Sequence, residues 1–163
     1  MRLKGTMLAF DTSSIVYAWD NYPIEQFPTL WEWLGKQLHD REIVLSCVAM
    51  EEVSYVSPEC HAWLHAVSAH ELPMTNAIIQ LALEIKTSLG IGNHYGIGVG
   101  ENDLFIVATA AVNGCDLITN EAVQPDLPQH KPKYKMPAVC AMDGVKVKTT
   151  NFIDFLKASK VVF

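Results

Sequence analysis

Acidic residues recur at comparable points of the chain, beside segments that are predicted to be buried. Asp11 ends a short apolar segment, and Glu52 follows a second one. Asp103 opens an apolar helix, and Glu121 lies just past the next apolar segment. Carboxylates that are brought together repel one another unless a cation neutralises them. The four acids therefore predict a site for Mg²⁺ or Mn²⁺, which prefer carboxylate oxygens and water as ligands. Such ions can polarise a phosphodiester and orient the water that hydrolyses it.

Each of these acids also has a purely structural interpretation. An Asp at the start of a helix is usually a capping residue, so Asp103 alone does not indicate catalysis. Glu52 alone fits a solvated helix surface, and its neighbour Glu51 is an alternative candidate for the working acid. No Ser, Cys or His is convincingly placed as the nucleophile of a catalytic triad. The repetition of acids at matching positions favours a metal site over unrelated surface charges.

Three buried strands are predicted to position these acids. The strands are too short for helices and cover 8–10, 42–46 and 116–119. Because they alternate with helical segments, we expect a parallel sheet that is covered by helices. The strands lead to Asp11, Ser46 and Thr119, and sites in such sheets form beyond the carboxyl ends of the strands. The alternating segment 145–148 predicts a half-exposed edge strand.

Helical patterns fill the segments between the strands. The predicted helices cover residues 15–19, 29–40, 47–56, 58–69, 75–89, 104–112, 137–142 and 152–158. Ser46 is expected to cap the third helix, and Asn102 the helix that carries Asp103. Trp31 falls off the apolar face of its helix, so we expect it to be partly exposed.

Composition indicates one compact domain. Of the 163 residues, 50% are hydrophobic and 18% are charged, so a single globular domain spanning 1–163 is expected. The longest apolar run, 104–112, is too short for a membrane span. Asp11 follows the amino terminus too closely to leave room for a signal peptide, so we expect a cytoplasmic location. A net charge of -6 argues against broad nonspecific binding of nucleic acid, unless the acids cluster and hold cations.

Packing explains the other reactive side chains better than chemistry does. The cysteines form no C-x-x-C pair and are expected to be buried free thiols; they are Cys47, Cys60, Cys115 and Cys140. His61 and His65 are spaced to bind a transition metal from one helical face, but an exposed helix surface is the simpler interpretation. Core or dimer packing is likewise simpler than base stacking for the tryptophans Trp19, Trp31, Trp33 and Trp63.

Two loops could contact a substrate. The Gly-rich segment 91–100 lacks the Gly-Lys-Ser/Thr ending of a phosphate-binding loop, so a mobile loop leading to Asp103 is expected instead. The one basic cluster is Lys131, Lys133 and Lys135. A solvated loop is the default interpretation of this cluster, and a rim that contacts RNA phosphates beside the acids is the alternative.

Taken together, several segments resemble the PIN-domain family, most closely its VapC-like ribonuclease branch. The matching segments are 10–14, 46–53, 102–111 and 117–121, which cover the chain in the family's order. Asp11, Glu52 and Asp103 match three acids of the family, and Thr119 matches its threonine at the strand end. The chain departs from the pattern at Glu121, where the family more commonly has Asp. It is also longer than compact members, which is typical of a distinct subgroup.

The resemblance implies a fold, an activity and partners. The implied fold is a three-layer α/β/α sandwich with a central, mainly parallel sheet of about four to five strands. The implied activity is a Mg²⁺- or Mn²⁺-dependent endoribonuclease, with Asp11, Glu52, Asp103 and Glu121 as metal ligands and Thr119 beside them. Such enzymes are often toxins of toxin–antitoxin pairs, homodimeric and neutralised by a small antitoxin protein. A catalytically inactive binding module and a structure-specific DNA nuclease are the alternatives.

Overall fold

A five-stranded, all-parallel sheet forms the centre of the protein. A computed structural model describes residues 6–163, so the Met1–Gly5 part of the predicted domain lies outside the described residues. The strands are β1 (Leu8–Phe10), β2 (Ile43–Ser46), β3 (Glu71–Leu72), β4 (Asp116–Ile118) and β5 (Thr149–Thr150). Their order in the sheet is β3-β2-β1-β4-β5. Phe10 pairs with Leu45 on one side and with Ile118 on the other, so the three inner strands end in register.

Helices cover the sheet and complete the predicted three-layer α/β/α sandwich. They are α1 (Thr12–Asn21), α2 (Pro28–His39), α3 (Cys47–Val56), α4 (Pro58–Ala66), α5 (Asn76–Leu89), α6 (Glu101–Val112), α7 (Met136–Cys140) and α8 (Phe152–Ser159), with a 3-10 turn at Lys131–Lys133. The inner strands and the middle of α6, 104–110, are mostly apolar and mostly buried. Strands that are buried on both faces read as continuous apolar runs, which is why their positions were predictable. Among residues 6–163, no helix is long and apolar enough to cross a bilayer.

Local capping signals set several helix bounds as predicted. Ser46 caps α3 by accepting a hydrogen bond from the Ala49 N–H at 3.0 Å. Thr75 caps α5 in the same way, and Gly90 ends that helix in the left-handed conformation at φ 71°. Other bounds differ from the prediction. α1 begins at Thr12 rather than at residue 15, because the Ser14 N–H already donates to the Asp11 carbonyl at 3.1 Å.

The edges of the sheet differ from the sequence prediction. The segment 145–148 is not a strand. The N–H groups of Val145 and Lys146 both donate to the Met142 carbonyl, and Lys146 has a φ of 52°, which is incompatible with an extended chain. The edge strand therefore comes later, at β5, and is only two residues long. The opposite edge strand, β3, was not predicted, because two residues are too few to show a periodicity.

Trp31 is buried rather than partly exposed, which corrects the prediction from its helical face. Its side chain is 2% exposed, and its indole N–H donates to the Tyr22 carbonyl at 2.6 Å. The ring packs edge-on against Trp19 and Trp63, with centroids 5.2 and 4.8 Å away. Side chains of α1 and α4 thus cover the side of α2 that carries Trp31. This side lies off the apolar face that the sequence of α2 indicates. Core packing is confirmed for these three tryptophans.

The cysteines are free thiols, as predicted. Cys60, Cys115 and Cys140 are buried, whereas Cys47 is half-buried. Burial raises the pKa of Cys60 and of Cys140 to about 12, and that of Cys115 to about 11. A thiol with such a pKa is almost fully protonated near neutrality, so these three residues are packing groups and not nucleophiles.

Candidate active site

The carboxyl ends of the inner strands meet at one edge of the sheet, where the sequence predicted a site. Asp11 directly follows β1, Ser46 ends β2 and Thr119 directly follows β4. The Asp11 N–H donates to the Ile118 carbonyl at 2.8 Å, which ties the end of β1 to the end of β4. Since parallel strands in register terminate together, the side chains after them emerge side by side.

Asp11 is a buried carboxylate held by two hydroxyl groups. Its side chain is 2% exposed, and one carboxylate oxygen, Oδ2, accepts hydrogen bonds from Ser13 Oγ at 2.6 Å and Thr119 Oγ1 at 2.9 Å. Burial raises the pKa of Asp11 to about 6; the two hydroxyl bonds oppose this rise, while the charges of Asp103 and Glu121 add to it. An acid that is both buried and surrounded by like charge is a typical feature of a functional site.

Asp103 reaches the same edge from the first turn of α6. The helix begins at Glu101, one residue before the predicted cap Asn102, so that prediction was wrong. Gly100 is the actual N-cap, and its N–H donates to the Asp103 carboxylate at 2.8 Å. Glycine offers no side chain to cap the helix, so the acid in the third position reaches back instead.

The pKa of Asp103 reflects its burial and the charged groups around it. Burial raises this pKa, the bond from Gly100 lowers it, the charges of Glu121 and Glu52 raise it, and Lys135 lowers it. Both Glu52 and Glu121 therefore lie within electrostatic reach of Asp103.

Glu52, and not Glu51, faces the other acids. Thr12 Oγ1 donates to Glu52 Oε1 at 2.8 Å, and Glu52 is half-buried, whereas Glu51 is exposed. At the opposite end, the Glu121 N–H donates to Thr119 Oγ1 at 3.2 Å. Thr119 thus contacts both Asp11 and the backbone that carries Glu121. The structure brings all five predicted site residues to the same edge of the sheet, with Thr119 in hydrogen-bond contact and the acids within electrostatic reach.

Hydroxyl groups that follow Asp11 are the site residues that the sequence prediction missed. Ser13 Oγ donates to Asp11 and also accepts the Asn120 N–H at 2.9 Å, so it bridges the ends of two strands. Ser14 Oγ is buried within 2.6 Å of the Ile118 carbonyl and 2.8 Å of the Asp11 carbonyl. The signal was present in the sequence as the run of hydroxyl-bearing residues 12–14, directly after Asp11.

The three lysines differ in their surroundings. Lys135 is half-buried and lowers the pKa of Asp103, so it lies at the acidic edge. Lys131 and Lys133 are exposed, and Lys131 lines a separate cavity of about 520 Å³ between α5 and α7. The Val99 N–H donates to the Tyr134 carbonyl at 3.0 Å, which fastens the Gly-rich loop to this lysine-bearing segment beside Asp103.

The donor set fits a hard divalent cation in its chemistry. Asp11, Glu52 and Asp103 each use one carboxylate oxygen in the bonds described above, and the second oxygen has no hydrogen-bond donor among residues 6–163. Carboxylate oxygens without imidazole or thiol partners are the ligands that Mg²⁺ and Mn²⁺ prefer. In the described part of the chain, no three His, Cys, Asp or Glu side chains converge tightly enough to form a preformed metal cluster. This applies to His61 and His65 as well, whose rings simply pack 4.7 Å apart.

Comparison with known proteins gives the family and the fold. A family model described as "Domain of unknown function (DUF4411)" matches residues 8–163. The chain belongs to the DUF4411 family. No curated protein matches it.

Solved structures similar to this DUF4411 chain include two VapBC complexes and a toxin–antitoxin complex. VapBC2 from Rickettsia felis, bound to a DNA fragment from its promoter, is 19% identical with a TM-score of 0.56, covering 90% of this chain and 98% of that chain. DNA-bound VapBC from Salmonella typhimurium is 16% identical with a TM-score of 0.55, covering 91% and 99%. A toxin–antitoxin complex from Klebsiella pneumoniae is 16% identical with a TM-score of 0.50, covering 88% and 95%. The likeness confirms the predicted PIN-like α/β/α sandwich of this chain.

Proposed function

We propose that this DUF4411 protein is a Mg²⁺- or Mn²⁺-dependent endoribonuclease. The observation that carries the proposal is Asp11: it is 2% exposed at the end of the central strand, and the charges of Asp103 and Glu121 help to raise its pKa. A protein gains nothing in stability by gathering carboxylates at a buried edge, and the repulsion is relieved when a cation binds between them. The PIN-like fold supports the same conclusion by analogy.

The roles of the residues follow from their contacts. Asp11, Glu52 and Asp103 would hold the ion directly or through water, and Glu121 would complete the site. A bound divalent cation supplies Lewis acidity, which stabilises negative charge on the phosphate and acidifies a water molecule. Ser13 and Thr119 orient Asp11, because their hydroxyls fix one of its oxygens and leave the other available. Thr12 orients Glu52 in the same way.

The lysine-bearing segment would bind the RNA backbone. Lys135 already lies within electrostatic reach of Asp103, so its ammonium group can neutralise a phosphate that approaches the carboxylates. The exposed Lys131 and Lys133 would extend this contact along the RNA strand. This local positive charge would offset the unfavourable net charge of the whole chain.

We further propose that the enzyme is the toxin of a toxin–antitoxin pair in the cytoplasm and acts as a homodimer. The support is the fold shared with chains of the VapBC complexes from Rickettsia felis and Salmonella typhimurium. A small antitoxin protein would then cover or distort the acidic edge. Co-expression with the product of the neighbouring gene tests this: we expect a stable complex on gel filtration and loss of RNA cleavage. A free DUF4411 protein and undiminished cleavage would contradict it.

Asp103→Asn tests the ribonuclease proposal. The amide can still accept the bond from Gly100, so the helix start is preserved while the charge is lost. We expect the Mg²⁺-dependent cleavage of an RNA oligonucleotide to fall by at least about 10²-fold, a typical loss for a group that acts on the transition state. Glu101→Gln, an exposed acid in the same helical turn, is the matched control and should cleave like the parent.

Two results would contradict the proposal. Equal cleavage by the Asp103→Asn variant and the parent would exclude the proposed carboxylate site. Cleavage of a DNA oligonucleotide of matched sequence, but not of RNA, would identify a DNA nuclease that uses the same acids. Circular dichroism should show the same fold for both variants.

A further inference from the structure

A cavity opens next to the acidic edge and shares residues with it. Its volume is about 410 Å³, within the range of small-molecule sites, and its walls include Thr119 and Glu121. The remaining wall comes from α1, the loop after β4, α7, β5 and the start of α8, and includes Tyr17, Asn120, Asn151 and Asp154. A molecule bound here would therefore touch the same two residues that flank Asp11.

Two amide side chains of the cavity have their oxygens occupied by the protein. Asn120 Oδ1 accepts the Phe152 N–H at 3.0 Å, and Asn151 Oδ1 accepts the Asp154 N–H at 2.8 Å. Because both partners are backbone donors, the atom facing each of them has to be the oxygen. The NH₂ group of each amide has no acceptor among residues 6–163, so both groups are free to donate to a molecule in the cavity that these residues line.

The rest of the wall supplies an aromatic surface and an acceptor. Tyr17 is half-buried and packs against Phe152 with ring centroids 6.4 Å apart, which limits the freedom of its ring. Val123, Pro137 and Ile153 add apolar surface. The Asp154 side chain is 62% exposed and only one of its oxygens, Oδ1, lies near a cation, 4.0 Å from Lys157 Nζ, so its carboxylate can still accept a hydrogen bond from a ligand. A flat molecule with carbonyl oxygens and ring N–H groups matches these walls.

We infer that this cavity binds one nucleobase of the substrate, and that it prefers guanine or uracil. The inference rests on the proposed function, since it places the base beside the phosphodiester that the carboxylates would act on. Guanine and uracil each present a carbonyl oxygen next to a ring N–H, which complements an amide NH₂ and a carboxylate. Adenine and cytosine lack this pair of neighbouring groups on their pairing edges. Unpaired RNA bases are read in this way, by hydrogen bonds to their edges and by contact with aromatic rings.

The variant that tests the cavity is Asn151→Ser. Serine is as good an N-cap as asparagine, so the bond from the Asp154 N–H and the start of α8 are preserved while the NH₂ donors are removed. Asn93→Ser, in an exposed loop outside the cavity, is the matched control. Neither residue belongs to the proposed catalytic carboxylates.

Two measurements are made on each protein. The first is the base preference around the cut, obtained by sequencing the products of a randomised RNA oligonucleotide. We expect the parent to favour guanine or uracil at one position beside the cut, and Asn151→Ser to lower that preference about tenfold without slowing cleavage at the disfavoured bases. The second is binding of GMP, UMP, AMP and CMP, followed by NMR of the side-chain NH₂ signals of Asn120 and Asn151. We expect shifts with GMP or UMP only.

The outcomes separate the cavity from the ribonuclease activity. RNA cleavage with no base preference, and with no NH₂ shift for any nucleotide, overturns the nucleobase site and leaves the proposed function standing. A shift of the Asn120 NH₂ signal with GMP or UMP that is lost in Asn151→Ser supports the site even when no RNA is cleaved, in which case the proposed function fails alone. Equal base preference in the parent and Asn151→Ser also overturns the assignment.

Discussion

Asp11 illustrates how much a single carboxylate can oppose folding. It is 2% exposed, and its two hydroxyl partners do not compensate for the loss of water and for the neighbouring charges, so its pKa rises from 3.8 to about 6. Below the lower of these values the group is protonated in both the folded and the unfolded chain. As the pH rises towards 6, the unfolded chain loses its proton first, so the protein becomes less stable.

This loss of stability with rising pH gives a prediction for Asp11→Asn. Without divalent ions, the variant should be more stable than the parent at pH 7.5, on the order of 2 kcal/mol, because a neutral amide avoids the penalty of burying a charge. Near pH 4 the difference should shrink towards zero. Urea denaturation in the presence of a metal chelator measures the stability difference at both pH values. The exposed Asp126→Asn variant is the control. A parent that is the more stable protein at pH 7.5 would show that the carboxylates do not repel one another.

At the scale of elements, the Gly-rich loop before α6 packs against the later segment of the chain that carries Lys135. A Cβ atom at Gly98 would lie against the Pro132 carbonyl and 2.8 Å from the Tyr134 carbonyl. Both atoms belong to backbone, which cannot rotate away as a side chain can. Gly98 therefore allows the end of the Gly-rich loop to pack against the segment that carries Lys135.

Gly98→Ala should for this reason lower the free energy of unfolding by about 1–3 kcal/mol, the usual cost of overpacking. Gly96→Ala is the matched control, because a Cβ atom there meets nothing within 4 Å. Chemical denaturation of the two variants gives the comparison directly. Equal stabilities would mean that the loop is not held against the lysine-bearing segment in solution.

At the scale of the whole molecule, a cation at the acidic edge would stabilise the fold as a ligand does. Asp11 follows the central strand and Asp103 lies in the first turn of α6, so an ion between them would tie the sheet to a helix layer. An ion at 100 times its dissociation constant adds about 2.7 kcal/mol to the stability of the folded state. For a chain of this size, that corresponds to a rise in Tm of about 5–10 °C.

Thermal denaturation with and without Mn²⁺ measures this effect. We expect the rise in Tm for the parent and its loss in a variant that combines Asp11→Asn with Asp103→Asn. An excess of K⁺ controls for simple screening of charge. A parent whose Tm does not respond to millimolar Mn²⁺ or Mg²⁺ would favour a binding module that has kept the fold without the metal.

The sequence by itself determined the features that depend on near neighbours in the chain. Ser46, Thr75 and Gly90 mark helix ends through bonds to residues a few positions away, so the bounds of α3 and α5 were predictable. Continuous apolar runs identified the inner strands, and with them the edge where the acids were expected. The resemblance of four short segments then led to the PIN-like fold.

Only the tertiary structure decided the features that join distant residues. The burial of Trp31 depends on Trp63. The position of the edge strand β5 depends on where the chain pairs with β4. That Glu52 rather than Glu51 faces the other acids depends on Thr12, 40 residues away. The hydroxyl bonds to Asp11 span up to 108 positions. Local periodicity cannot encode such pairs, because which side chains meet is fixed by the packing of whole elements. The acids could be found in the sequence, whereas the hydroxyls that hold them became visible only in the fold.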